Sequence, residues 1–309
     1  MKTESLLEKA LESGKFAVTA ECGPPKGADT NILIEKGKSL LGWVDAVNVT
    51  DNQTAIVRMS SVAACSILKQ LGHEPIVQMV TRDRNRIALQ SDLFGAYALG
   101  IRNVLCLTGD HQCFGNQKEA VGVFDLDSIQ LLKTARDMRE SGVIIGGEPI
   151  QKAPIFFAGA AENPFADPVD WRVIRLGKKV QAGADFIQTQ CIYNLDRFET
   201  FMSQARNIGL TEKVYILAGV TPLKSVGMAR YMATKVAGID IPEELISRMA
   251  KAPKEKQAEE GIKIAVETIQ RVREIPGVAG VHVMAIEWEN RVPEILKAAG
   301  VGNRPAGVA

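Results

Sequence analysis

The sequence lacks the features by which several protein classes declare themselves. No two of its five cysteines, Cys22, Cys65, Cys106, Cys113 and Cys191, stand in a C-x-x-C spacing. A zinc ribbon or an iron–sulfur cluster held by this chain alone is therefore not expected, and no metal site is expected. An excess of one charge is missing too: 37 Lys and Arg face 36 Asp and Glu, leaving +1. No strong field exists to attract nucleic acid or an anionic membrane, so the ligand should be small. No apolar run approaches the ~18–20 residues a spanning helix needs. The opening MKTESLLEKALESGK is charged and amphipathic, without an apolar core of signal-peptide type. Scattered cysteines in odd number fit a reducing cytoplasm, the expected location.

What is present is an alternation. Eight short β-rich runs, at 16–22, 45–50, 75–81, 103–108, 154–160, 185–191, 213–220 and 280–286, are mostly continuous apolar stretches. Parallel strands buried on both faces have that pattern. Helical periodicity fills the intervals, at 31–41, 59–71, 86–99, 126–141, 170–182, 195–208 and 224–237, with further helices at 243–252, 254–274 and 291–299. Gly72, Gly100 and Gly183 stand where three helices must stop before the next strand. Asp125 or Asp127 can cap the helix that follows.

Eight βα units predict a single (β/α)8 TIM barrel over 1–309, with extra helices near the C-terminus and a flexible Gly/Pro/Ala-rich tail at 301–309. An open doubly wound sheet is the alternative. The first turn, ECGPPKG, has no G-x-G-x-x-G, which weakens a dinucleotide-binding version of it. Two segments break the rhythm: a long loop at 109–124 after strand four, and a short hairpin at 143–150 before strand five.

Barrel chemistry sits at the C-terminal ends of the strands. Those ends read Glu21, Thr50, Gln78 to Thr81, Thr108-Gly109-Asp110, Glu162, Gln190, Thr221 and Glu287. A buried carboxyl facing an apolar ligand gains a raised pKa and can act as a general acid, while a solvated one stays charged and can stabilise a cation. Glu21 and Asp110 are the candidates. Each also has a plainer reading, Glu21 as a carboxylate bonded to the following turn and Gly109-Asp110 as a turn. His73 and His282 read as structural, and His111, on the long loop, is the one histidine considered for the site. Cys106 and Cys191 read as small core residues. No strand ends in lysine, which speaks against a Schiff-base lyase.

The motifs TAECGPP (19–25), VNVTDN (47–52), LTGDHQCFGN (107–116), GAAENPFADP (159–168), KVQAGADFIQTQCIYN (179–194) and LAGVTPL (217–223), in this order and spacing, resemble those of the methylenetetrahydrofolate reductase family, most of all its short anaerobe-like bacterial members. They also resemble the reductase half of a fused homocysteine methyltransferase, for whose second half this chain is expected to be too short.

The resemblance implies a flavin across the barrel mouth and hydride transfer to 5,10-methylenetetrahydrofolate, giving 5-methyltetrahydrofolate, or the reverse. It implies Glu21 as the general acid and Asp110 as the carboxylate beside flavin and pterin. It implies Thr50, Gln78, Thr108, Gly109, Asp110 and Lys179 at the cofactor, Lys179 near its phosphate, and Gln190 and Arg291 at the folate. The sequence departs from the family where Cys22 and Gly23 replace aromatics, where Gln78 replaces a flavin-contacting histidine, and where Arg172 replaces an acidic residue associated with the ribose–adenosine end of FAD. FMN is thus an alternative to FAD. The donor is NAD(P)H or electrons from a small iron–sulfur partner subunit. The second reading is a flavin- and folate-binding subunit active only with that partner; a homo-oligomer is the other expected assembly.

Overall fold

The computed structural model describes residues 1–302 and Arg304. Eight parallel strands close on themselves in sequence order: β1 (Ala17–Cys22), β2 (Ala46–Val49), β3 (Pro75–Val80), β4 (Asn103–Leu107), β5 (Phe157–Glu162), β6 (Phe186–Cys191), β7 (Tyr215–Val220) and β8 (Val278–Val283). Closure is made by β8 on β1, with Ala17 opposite Gly280 and Thr19 opposite His282. The chain is therefore a (β/α)8 barrel, and the open-sheet alternative is excluded.

Helix α1 (Leu6–Glu12) precedes the barrel. The main crossovers are α2 (Thr30–Leu40), α3 (Ser61–Gln70), α4 (Arg86–Ala98), α5 (Ser128–Ser141), α6 (Arg172–Ala182) and α7 (Leu195–Asn207). Three helices follow β7, namely α8 (Val226–Lys235), α9 (Glu243–Lys251) and α10 (Gln257–Glu274), and α11 (Val292–Ala298) follows β8. Local chemistry sets these boundaries. Asp127 caps α5 in a reciprocal capping box with Gln130, while Asp125 instead pairs with Arg86. Gly72, Gly100 and Gly183 have φ of 97°, 83° and 108°, the left-handed stop for which a Cβ is a penalty.

Side chains alternate across each strand. One set, including Val18, Val47, Val77, Val104 and Ile187, packs outward under the helices. The other set fills the lumen. Its lower part is apolar: Ala17, Ala46, Ile76, Leu105, Phe157, Phe186 and Leu217 pack with Leu7 and Leu11 of α1. Above them the lumen turns polar through Thr19, Asn48, Gln188 and His282, all buried. This change of character along the barrel axis is what prepares the mouth.

Two strands are displaced from the expected ranges. β5 starts at Phe157 rather than 154, because Pro154 has no N–H to give a ladder and pairing begins where Phe157 N donates to Arg102 O (2.9 Å). β8 ends at Val283, three residues early, and the chain then turns through Glu287 at φ 50°. The 143–150 segment makes a single antiparallel bridge, Val143 to Pro149. Of the tail expected to be loose, 303 and 305–309 lie outside the described residues. The described part is anchored: Arg304 is buried and donates to Phe16 O (2.7 Å) and Val301 O (3.1 Å). Among the described residues no helix is long and apolar enough to cross a membrane.

Candidate active site

A cleft of roughly 310 Å³ opens at the C-terminal ends of the strands. Glu21, Gln78, Thr108, Gly109, Asp110 and Gln190 line it together, although they come from β1, β3, β4 and β6 and the ends beyond them. The two candidate carboxyls, Glu21 and Asp110, thus share one cleft. Val80, Leu105, Leu107, Ala161 and Met284 supply apolar wall between the polar groups.

Glu21 is held at the floor of this cleft, 9 % exposed. Gln78 Nε2 donates to its Oε1 at 3.5 Å, and His282 Nε2 stands 4.0 Å from the same oxygen. Burial pushes the Glu21 carboxyl up to about 7, the nearby Glu289 carboxylate adds to the rise, and the Gln78 and Gln53 amides oppose it. A carboxyl of that strength is half protonated at neutral pH, which is where a general acid must be poised.

His282, read as structural from the sequence, is buried and bonded to Thr19 within the barrel, and it also lines the cleft beside Glu21. A polar layer beneath it holds the ring in place. Gln188 Nε2 donates both hydrogens, to Asn48 Oδ1 (2.9 Å) and Thr19 Oγ1 (3.1 Å), and Asn48 Nδ2 returns a bond to Gln188 Oε1 (2.6 Å). Thr19 Oγ1 meets His282 Nδ1 at 2.9 Å and also reaches Val281 O (3.5 Å), and the other ring nitrogen, Nε2, faces Glu21. Burial holds the His282 pKa down at about 3, so the ring is neutral. His111, the one histidine considered for the site from the sequence, caps its own loop, its Nδ1 accepting from Cys113 N (3.2 Å).

Asp110 is exposed and follows Gly109, whose φ of 90° turns the chain over Val80. Its backbone is tied down by Arg82, a residue sequence reasoning missed. Arg82 is 2 % exposed; its Nη1 donates to Asp110 O (3.0 Å) and its Nη2 to Asn52 O (3.3 Å). One guanidinium thereby joins the loops after β2 and β4. Only its position two residues beyond a strand hinted at this. Gln190 reaches the mouth because the β6–β7 register shifts between Gln188 and Cys191, with Thr189 Oγ1 bonding Gln190 O (2.9 Å) and accepting from Gly219 N (2.8 Å).

Three expected site residues lie outside the lining. Thr50 is buried next to cleft-lining Asp51, and its hydroxyl has no protein partner. Arg291 sits at the start of α11, its Nε on Glu294 (2.7 Å) and its guanidinium 5.2 Å from the centre of the Trp288 ring, with Lys224 Nζ 5.5 Å from that ring. Lys179, expected near a phosphate, is committed elsewhere. Glu162 follows the outward set of β5, so it faces α6 and not the lumen, and Lys179 Nζ meets its Oε2 at 2.6 Å and Ala161 O at 2.5 Å. Removing one partner of a buried pair strands the other charge. Lys179→Met should therefore lower stability by about 3–5 kcal/mol, read as a fall in thermal midpoint. Retained stability with lost flavin would instead restore the phosphate role. Cys22 is buried and its thiol is pushed up to about 12, so it stays protonated and inert.

Fold and cleft together define a (β/α)8-barrel protein with a carboxyl- and amide-lined small-ligand site at the strand C-termini. The methylenetetrahydrofolate reductase family model matches residues 6–300, and the chain belongs to that family. Methylenetetrahydrofolate reductase 2 of Schizosaccharomyces pombe is 28 % identical over 97 % of this chain and 48 % of its own length. Methylenetetrahydrofolate reductase (NADH) 1 of Arabidopsis thaliana is 25 % identical over 97 % and 51 %. The chain thus spans about half the length of these relatives. An uncharacterized protein from Clostridium thermocellum, described as binding two copies of 5-methyl-5,6,7,8-tetrahydrofolic acid, has the same fold, with a TM-score of 0.65 at 16 % identity over 96 % of this chain and 99 % of that one.

Proposed function

We propose that this chain is a flavin-dependent reductase that converts 5,10-methylenetetrahydrofolate to 5-methyltetrahydrofolate, or runs the reverse oxidation. The observation that carries the reading is the buried Glu21 carboxyl, with a pKa of about 7, sharing one cleft with exposed Asp110. Family membership, the names of the relatives and the folate bound by the Clostridium protein support it.

The cleft suits a planar heteroaromatic group. Val80, Leu105, Leu107, Ala161 and Met284 give it apolar stretches between its amide and carboxyl groups, and the buried Thr50 hydroxyl beside it lacks a protein partner. Thr50, Gln78, Thr108, Gly109 and Asp110 would hold a flavin there, FAD as in the family or FMN. Bound, the flavin supplies a two-electron hydride donor. Glu21 protonates the pterin nitrogen, which then leaves as a neutral amine and exposes an iminium carbon. The fixed charge of Asp110 stabilises the cation that develops. Gln190 orients the pterin, and Arg291 receives the carboxylates of the folate tail.

Electrons come from NAD(P)H or from a small iron–sulfur partner subunit. The assembly is a homo-oligomer or that complex. The test is to purify the protein, identify its released flavin, and add methyltetrahydrofolate anaerobically. Bleaching of the yellow oxidised form, and recovery with methylenetetrahydrofolate, is expected. A preparation that binds no flavin even on reconstitution would end the reading. Turnover with NADH or NADPH alone would eliminate the partner-dependent version.

A further inference from the structure

Gln190 is the one exposed residue of β6 and lines the cleft. Among the described residues nothing bonds its side-chain amide, so its aim is set by the backbone beneath it. That backbone is a bulge. Gln188 pairs with Leu217 and Cys191 with Gly219, so two residues of β6, Thr189 and Gln190, stand opposite one of β7, Ala218. Bulges beside active sites re-aim a side chain, and the extra residue leaves ladder groups without their regular partners. Here one hydroxyl takes over. Thr189 is 2 % exposed; its Oγ1 accepts from Gly219 N (2.8 Å) and donates to Gln190 O (2.9 Å). The Thr189 and Gln190 carbonyls lie over Gly219, where a Cβ would come within 2.2 Å and 2.7 Å of their oxygens and 2.9 Å of the Met284 methyl. A glycine inside a strand marks such an approach of backbone to backbone. Beyond the bulge the ladder resumes, with Ile192 N on Gly219 O (2.9 Å). The barrel's other register shift lies at the N-terminal ends of β7 and β8, among Ile216, Leu217, Val278, Ala279 and Gly280, none of which carries a hydroxyl. A bulge in this barrel therefore closes without such a bridge; the bridge belongs to the one that carries Gln190.

We propose that Thr189 is a positioning residue: its hydroxyl locks the β6 bulge against Gly219 and so fixes the direction in which Gln190 meets the pterin. The proposal deepens the reductase reading and rests on it for the role of Gln190. Both partners of the hydroxyl are main-chain groups, and a buried N–H left without an acceptor costs free energy comparable to a lost hydrogen bond. Without the hydroxyl the bulge loosens, and the backbone that carries Gln190 loosens with it. Gln190 is a binding group, in contact with the substrate in ground state and transition state alike. Misdirecting it therefore raises KM more than it lowers kcat.

The test compares Thr189→Val, which keeps the shape and removes the hydroxyl, with Thr189→Ser, which keeps the hydroxyl. In the ligand-free protein, amide hydrogen exchange at Gly219, followed by NMR, should quicken about tenfold in Thr189→Val and stay near native in Thr189→Ser. The KM for methylenetetrahydrofolate should rise about tenfold in Thr189→Val at unchanged flavin content, and stay near native in Thr189→Ser. In a Gln190→Ala background Thr189→Val should cost nothing further, because the residue it aims is gone, whereas a merely structural Thr189 would cost the same in both backgrounds. Unchanged exchange at Gly219, an unchanged KM or additive losses would each overturn the proposal. Should Thr189→Val fail to fold, Thr189→Ala removes the hydroxyl with less bulk and is held to the same readings. Native protein that turns over no folate would instead remove the reductase reading, and exchange at Gly219 would still decide whether the hydroxyl holds the bulge.

Discussion

Glu21→Gln is expected to lower folate turnover by about 10²- to 10⁴-fold while leaving flavin content and flavin reduction by the donor near native. The carboxamide matches the acid in shape and can still meet Gln78, so the fold and the cleft survive. What it cannot do is release a proton to an amine. The folate half-reaction therefore collapses and the donor half-reaction does not, a division that stopped-flow measurement of the two halves reads directly. Equal losses in both halves would mean that Glu21 supports the cleft as a whole.

The second large effect belongs to Asp110. Asp110→Asn removes a charge beside the place where the substrate becomes cationic, and folate reduction should slow by about 10²- to 10³-fold. The same charge opposes build-up of negative charge on a reduced flavin, so reduction by the donor should become faster. Opposite signs in the two half-reactions are the diagnostic. A loss in both would indicate that Asp110 acts through the geometry of its loop, which Arg82 fastens by the backbone. Arg82→Lys then provides the comparison, since a lysine cannot span Asn52 O and Asp110 O with a planar fork.

The barrel was legible because its strands are apolar on both faces and several helices stop at glycine. Glu21, Asp110, Gln78 and Gln190 were legible as polar residues at strand ends, and all four line the cleft. Parity explains part of what was misread. Glu162 ends its strand as Glu21 nearly does, yet it faces the helices, and it takes Lys179 with it. A one-residue change in register decides between lumen and exterior, and the true start of β5 was hidden behind Pro154. That His282 also borders the cleft was not legible, because a histidine inside an apolar run looks like core. It forms one polar layer with Thr19, Asn48 and Gln188, four residues that four separate strands bring together. Arg82 acts through contacts between loops, for which sequence spacing carries no signal. The family resemblance supplied roles that neither periodicity nor composition contains.

The account stands on a Glu21 that donates a proton from a carboxyl pushed up by burial. Its sign is definite: the protonated form is active, so the rate must be full below the raised pKa and fall above it. Single-turnover oxidation of the pre-reduced protein by methylenetetrahydrofolate, measured across pH, tests this most directly. The rate should be level in acid and decline about tenfold per unit above a midpoint of about 7. A rate that stays level through that midpoint, or climbs with pH, would contradict it.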